Sequence, residues 1–471
     1  MTDTIHDLDI RETGLLLRQR KISVPELIRY FLDRANKLEP KIGAFSRLDN
    51  KHALKKANSL QSELDRGIDR GPLHGIPVSL KGNIDVGGWN TASNSHIMTQ
   101  RTPSTDASIV SNLKRAGIVE FGHTTLHELA FGGPAWDTPD DPARNPWDPW
   151  RFTGGSSSGS GAAVAAGLTT AAIGTDTVGS IRLPAAMCGI VGLKPTFGRV
   201  PTEGIVPLSY SLDHCGPMAS SVEDCFQLLK AMTSSEVLQS EYDEFVQLKS
   251  LSGIKIGFID HFYEKDSEVS SDVHRSMERS REIWNALGAE IVQTSLSSLE
   301  VYSSCSMTIM LSEALAIFEK DLQDRPYDFG EITRDRLALA SFFSSTDYIQ
   351  ANRLKKLLSR EMRSAFSDVD FLVAPTFSSE APDLGEVDKY YILEKPLLTT
   401  PFNVTGLPTV NIPVGVSKAG LPLGMQIAAP EGYDERLLGI AKVFEQHSEF
   451  PRFRQSQSLP KELVSAEDSR D

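Results

Sequence analysis

Between Gly154 and Thr196 the sequence reads GGSSSGSGAAVAAGLTTAAIGTDTVGSIRLPAAMCGIVGLKPT, and a stretch so poor in bulky side chains leaves few folds open. Gly, Ser and Ala at this density let the backbone approach its neighbours closely and take φ/ψ values that larger residues cannot. A flexible linker would lack the apolar runs embedded here. Ala162 to Leu168 predicts a small-residue helix, and Ala171 to Gly174 and Gly189 to Leu193 predict buried strands. A phosphate-binding loop fails on spacing, because Gly159 and Gly161 have no third glycine in G-x-G-x-x-G register and no G-K-[ST] follows. The segment Asp176 to Arg182, DTVGSIR, places Ser180 after small residues that expose the backbone. That is a setting in which a hydroxyl nucleophile can sit beside backbone N–H donors. The logic is that of a G-x-S-x-G nucleophile elbow, although Arg182 stands where the second glycine would be.

These two blocks do not stand alone. With HGIPVSLKGNIDV (His74 to Val86), NPWDPWRFTGG (Asn145 to Gly155), SYSLDHCGPMA (Ser209 to Ala219) and PFNVTGLPTVNIPVGVSKAGLPLGMQIAAP (Pro401 to Pro430), the chain resembles the amidase signature family. The likeness covers most of the chain and is weakest from about Thr233 to Asp368. It implies a Ser-Ser-Lys triad with Ser180 as nucleophile, Ser156 as the bridging serine and Lys81 as the terminal base. It also implies a cis peptide at Gly155–Ser156 and an oxyanion hole built from the backbone N–H groups of Thr177, Val178 and Gly179, with Ser180. Ser157 is a candidate for orienting Lys81 or Ser156, and Asp176 and Arg182 for holding the loop by hydrogen bonds. The chain departs from the family pattern at Gly82, usually acidic, and at Ser158 and Val178, usually glycine. A β-branched Val178 requires a negative φ there.

Read without the resemblance, Lys81 at the end of the apolar run Ile76 to Leu80 has two explanations. It is either a strand-end charge reaching solvent or a desolvated amine whose pKa has fallen from about 10.4. A serine nucleophile needs a base within reach, and histidine is the usual one. His127 and His214 lie nearest the Gly/Ser core in sequence, but neither accompanies a recognisable Ser-His-Asp arrangement.

Along the chain, capped amphipathic helices are predicted at Ile10 to Gln19, after Ser23 to about Leu38, at Lys51 to Arg66 and at Ser221 to Met232. From Ile254 strands and helices alternate: strands at Ile254 to Ile259, Glu290 to Ser295, Asp370 to Ala374, Thr409 to Val416 and Gly424 to Ala428, helices at Val269 to Leu287, Tyr348 to Ser367 and Asp434 to Glu445. That alternation predicts an α/β fold: a single large domain with a central mixed, mostly parallel twisted sheet covered by helices on both faces. No linker divides the chain, so one domain is expected over 1–454, with a signature core at about 74–219, a C-terminal part at about 254–450, and a loose tail at 455–471. The aperiodic segment Thr124 to Trp150 is long enough to be functional, and His127, Phe131 and Gly132 are candidates for the pocket wall, the alternative being that His127 and Glu128 satisfy local backbone groups. Pro375 to Pro396, with Tyr390, Tyr391 and Leu393, is a candidate cap over the site.

A net charge of -14 without a concentrated Lys/Arg face argues against a broad nucleic-acid surface. The cysteines, Cys188, Cys215, Cys225 and Cys305, form no CxxC pair and read as reduced, buried thiols of a cytoplasmic protein. No metal-ligand spacing and no cofactor motif is present, the N-terminus is polar and acidic, and no apolar run reaches membrane-spanning length. The expected function is cleavage of an amide, anilide or carbamate (urethane) C–N bond through a Ser180 acyl-enzyme. The expected partner is a small-molecule substrate, without nucleic acid or membrane, and a homodimer is compatible with the resemblance. The alternative is the glutamine-hydrolysing subunit of a tRNA-dependent amidotransferase complex. Two features weigh against that alternative: Pro396 aligns near the acidic residue that such relatives use for the glutamine ammonium, and Ser341 to Ile349 replaces their Tyr-rich stretch.

Overall fold

A computed structural model describes residues 5–233, 237–448 and 450. The expected tail at 455–471 lies outside these residues. The strands are β1 (Phe45–Leu48), β2 (Pro77–Lys81), β3 (Val119–Thr124), β4 (Ala171–Asp176), β5 (Val191–Lys194), β6 (His214–Ala219), β7 (Lys255–Phe258), β8 (Glu290–Gln293), β9 (Phe371–Pro375), β10 (Thr409–Val416) and β11 (Pro422–Ala428). They form one 11-stranded sheet in the order β1-β3-β2-β4-β6-β5-β10-β11-β9-β7-β8. Parallel pairing joins β2 to β3 and β4 on one flank and β7 to β8 and β9 on the other. Between the flanks the ladders are antiparallel, β4 with β6, β6 with β5, β5 with β10, β10 with β11 and β11 with β9. The sheet is therefore mixed, as expected, but not mostly parallel: with β1 antiparallel to β3 at the edge, the antiparallel ladders outnumber the parallel ones, which lie toward the two flanks.

Successive residues of a strand face opposite sides of a sheet, and β9 shows the consequence for the core. Phe371 and Val373 join one large apolar cluster, whereas Leu372 and Ala374 join another. The first cluster takes in the N-terminal helix Val24–Ile42 through Leu27, Ile28 and Phe31, and the C-terminal helix Asp434–His447 through Leu437, Leu438 and Phe444. The second is built around Leu299–Asp324 and Ser345–Ala365. Each fully buried Leu or Phe in these clusters contributes about 1.5–3 kcal/mol.

Local chemistry explains the helix ends. Asp9 and Ser23 close capping boxes with Glu12 and Glu26, and Pro25 occupies the first turn of the second helix, as its fixed φ allows. That helix runs past Leu38 to Ile42 and stops at Gly43, whose φ of +61° a side chain would disfavour. Leu299–Asp324, 26 residues, is long and apolar enough to cross a membrane, a run the sequence reading had not expected; 56% of its most apolar window is buried within the protein. All four cysteines are buried and unpaired.

Candidate active site

The sheet brings the C-terminal ends of β2 and β4 side by side, and the site is built there. Lys81 closes β2, and Thr175 and Asp176 close β4. The small-residue block supplies the third piece: Ser156 and Ser157 precede the helix Ser158–Ala165, and Gly159 packs where a Cβ would come within 2.3 Å of the Ala44 carbonyl. Bulk is excluded here because two backbones meet. The helix starts at Ser158 rather than Ala162, since the same small residues also suit its first turn. Gly155–Ser156 is a cis peptide.

Lys81 is 0% exposed, and its Nζ lies 2.7 Å from Ser156 Oγ and 2.8 Å from Thr175 Oγ1. Burial pulls its pKa from 10.5 to about 7, against the opposing charges of Asp176 and Asp213. Of the two sequence-level explanations, the desolvated amine is the one found. Ser157 N–H donates to the Ser180 carbonyl at 3.2 Å, and Ser157 Oγ bonds the Thr175 backbone, so Ser157 ties the serine loop to β4. Ser156 and Ser180 both line a chamber of about 20 Å³, room for a single water.

Asp176 organises the turn that carries Ser180. Its carboxylate accepts from the N–H groups of Gly179 (2.8 Å) and Ile181 (3.2 Å), from Arg182 Nε (3.0 Å) and from Asn403 Nδ2 (2.8 Å). Burial alone would raise the Asp176 pKa, but Arg182 and these hydrogen bonds hold it well below the ordinary carboxylate range. The buried Arg182 guanidinium also reaches the Thr399 carbonyl and Gln426 Oε1. One expectation is corrected here: the Gly179 N–H is engaged by Asp176 and is not free to meet an oxyanion. The positive φ of the loop, +132°, falls on Gly179, and Val178 is spared it.

Neither nearby histidine serves Ser180. His127 stacks on Phe152 beneath Gly155; burial first, then the charges of Lys81 and Arg336, lower its pKa to about 3. His214 is held between the Leu212 carbonyl and Lys194 Nζ, with its pKa lowered by burial. Glu128 accepts from Ser95 Oγ and Gly330 N–H and has no place in the chamber. Phe131 and Gly132 do line the chamber, with Ala130, Leu183, Leu208 and Met310. Tyr391 and Ile392 wall it from the predicted cap, whereas Tyr390 and Leu393 do not. A side chain at Gly82 would be tight, since a Cβ would lie 3.1 Å from both Leu126 Cδ2 and the Thr124 carbonyl and one of these would have to give by a few tenths of an ångström.

Tyr391 and Leu397 also line a larger vestibule of about 600 Å³, with Phe152, Phe377, Glu386 and Glu394. On the Thr175 side lies a second cavity of about 370 Å³, lined by Asn83, Thr177, Asp213 and His214. Burial raises the Asp213 pKa to about 6, while Thr177 Oγ1 and two backbone N–H groups donate to its carboxylate. Sequence reasoning missed Thr175, Asn83, Thr399 and Asn403. Only the neighbour order of β2 and β4 and the return of the chain near residue 400 bring them to the site. Among the described residues no His/Cys/Asp/Glu cluster could hold a metal ion.

The lysine-to-serine contact and the Asp176-braced turn together make this the candidate site for C–N bond hydrolysis. The Amidase family model matches residues 26–438, and the chain belongs to the amidase signature family. A glutamyl-tRNA(Gln) amidotransferase subunit from Carboxydothermus hydrogenoformans is 33% identical, the match covering 96% of this chain and 99% of that protein. The crystal structure of a glutamyl-tRNA(Gln) amidotransferase subunit from Thermotoga maritima is 29% identical with a TM-score of 0.79, over 96% of this chain and 99% of that one. The peptide amidase of Stenotrophomonas maltophilia is 27% identical with a TM-score of 0.84, over 97% of this chain and all of the other. Relatives named as subunits of an amidotransferase overturn the expectation of a purely small-molecule partner without nucleic acid, which the acidic net charge had suggested. Net charge reports on the whole surface and is blind to what a partner subunit supplies.

Proposed function

We propose that this chain is the amide-hydrolysing subunit of a tRNA-dependent amidotransferase, releasing ammonia from a primary amide, glutamine, through an acyl-enzyme on Ser180. The observation that carries the chemistry is the 2.7 Å contact between the buried Lys81 amine and Ser156 Oγ. A neutral amine at that distance accepts the Ser156 proton while Ser156 takes the proton of Ser180. The Ser180 oxygen then bonds the amide carbonyl carbon, and the resulting oxyanion meets N–H donors among Thr177, Val178 and Ser180. As the C–N bond breaks, Ser156 returns a proton to the leaving nitrogen, and water later cleaves the ester by the same relay in reverse.

The assembly part of the reading is supported by near full-length similarity to relatives named as amidotransferase subunits. Arg336, fully buried, donates to the carbonyls of Phe131 and Lys389 and so fixes the chamber wall at Phe131. A second reading, cleavage of an amide, anilide or carbamate other than glutamine, has the apolar chamber wall and Pro396 in its favour.

Ammonia release from L-glutamine, measured beside a panel of anilides and carbamates, separates the two. The proposal expects glutaminase activity that Ser180→Ala abolishes, and stable co-purification of partner subunits from the source cell. Turnover of anilides or carbamates by a chain that leaves glutamine untouched would overturn it.

A further inference from the structure

The wall between chamber and vestibule runs directly into the residue that holds the nucleophile loop. Pro396, Leu397 and Leu398 line the vestibule, and Leu397 also lines the chamber. The next residue, Thr399, is fully buried and donates its Oγ1–H to the Val178 carbonyl at 2.6 Å. Its own carbonyl accepts from Arg182 Nη1 at 3.0 Å, and Gln426 Nε2 donates to the Leu398 carbonyl at 2.8 Å. Thr399 is therefore anchored on both sides.

The Val178 carbonyl and the Gly179 N–H belong to one planar peptide unit. Thr399 holds its oxygen and Asp176 holds its N–H at 2.8 Å, so the plane is clamped from both edges. The clamp also explains the glycine: a Cβ on Gly179 would lie 2.4 Å from Thr399 Oγ1. The peptides on either side carry the N–H groups of Val178 and Ser180, and both residues line the chamber.

We propose that Thr399 is a positioning residue for the hydrolysis: its hydroxyl fixes the Val178–Gly179 peptide and thereby aims the flanking N–H donors at the developing oxyanion. The wall segment and the oxyanion loop then move as one piece. This rests on Ser180 being the nucleophile.

The test uses a fluorophosphonate, which phosphonylates an activated serine through a geometry that needs the same donors. Thr399→Val keeps the branched shape and removes the donor; Thr399→Ser keeps the donor. Misaimed oxyanion donors should slow the maximal labelling rate of Thr399→Val about 10- to 100-fold at an unchanged half-saturating concentration, with Thr399→Ser within about threefold of wild type. Should Thr399→Val not fold, Thr399→Ala removes the same donor and is read against the same limits. Wild-type labelling by the donor-less variant, or an equal loss in Thr399→Ser, would overturn the proposal. Labelling of wild type at a residue other than Ser180 would instead overturn the nucleophile assignment.

Discussion

At the scale of single residues, Lys81 carries most of the proposed chemistry. An amine at 0% exposure with its pKa near 7 is about half neutral at pH 7 and largely neutral above it, and the neutral form is the one that can take a proton. The rate should therefore fall as pH drops through about 7, because the proton-accepting lone pair is then occupied. A pH profile of kcat/KM for L-glutamine checks this, and a profile flat between pH 6 and 8 would contradict it. Stability follows the same group with a definite sign. The unfolded chain binds the Lys81 proton more tightly than the folded one, so its contribution to stability rises with pH between about 7 and 10.5. Gly82 makes a second prediction: Gly82→Asp, restoring the acidic residue usual in the family, should cost about 1–3 kcal/mol by overpacking against Leu126 and the Thr124 carbonyl, measured by denaturant titration. Lys81, Ser156 and Ser180 were legible in the sequence because each lies in a contiguous motif. Thr175 and Thr399 were not, because their roles arise only when strands and segments far apart in sequence become neighbours.

At the scale of elements, the turn after β4 is held by a buried ion pair together with the backbone N–H groups that donate to the same carboxylate. Asp176 and Arg182 are both fully buried and 3.0 Å apart. Removing one partner of such a pair leaves an uncompensated charge, at a cost of about 3–5 kcal/mol. Asp176→Asn should therefore lower the unfolding free energy by that order and suppress turnover as well, measured by denaturant unfolding and initial rates. The sheet makes its own prediction: Phe371→Ala on β9 should cost about 3–5 kcal/mol without altering the pH profile, since its ring packs on Phe245, away from the triad. Capped helices such as Val24–Ile42 were legible because Ser23, Pro25 and Glu26 signal their start locally. The antiparallel middle of the sheet was not. Apolar runs such as Val191–Lys194 and His214–Ala219 carry no mark of direction, and their order depends on where the intervening loop returns.

At the scale of the whole molecule, a small chamber lined by Ser156 and Ser180 adjoins two roomier cavities, sharing Ala130 and Leu208 with one and Tyr391 and Leu397 with the other. The likeness to relatives named as amidotransferase subunits extends to nearly the full chain, and it is this likeness that supports the proposed partner subunits. Composition alone could not reveal this, because net charge averages over all faces. The central claim is that an uncharged buried amine drives Ser180 through Ser156, and peptide mapping by mass spectrometry of the fluorophosphonate-treated protein tests it most directly. The account predicts a single adduct on Ser180 that forms faster as pH rises through about 7 and is lost in Lys81→Met and Ser156→Ala. An adduct on Ser180 that forms equally fast in Lys81→Met, or no adduct on Ser180 in the wild-type protein, would contradict it.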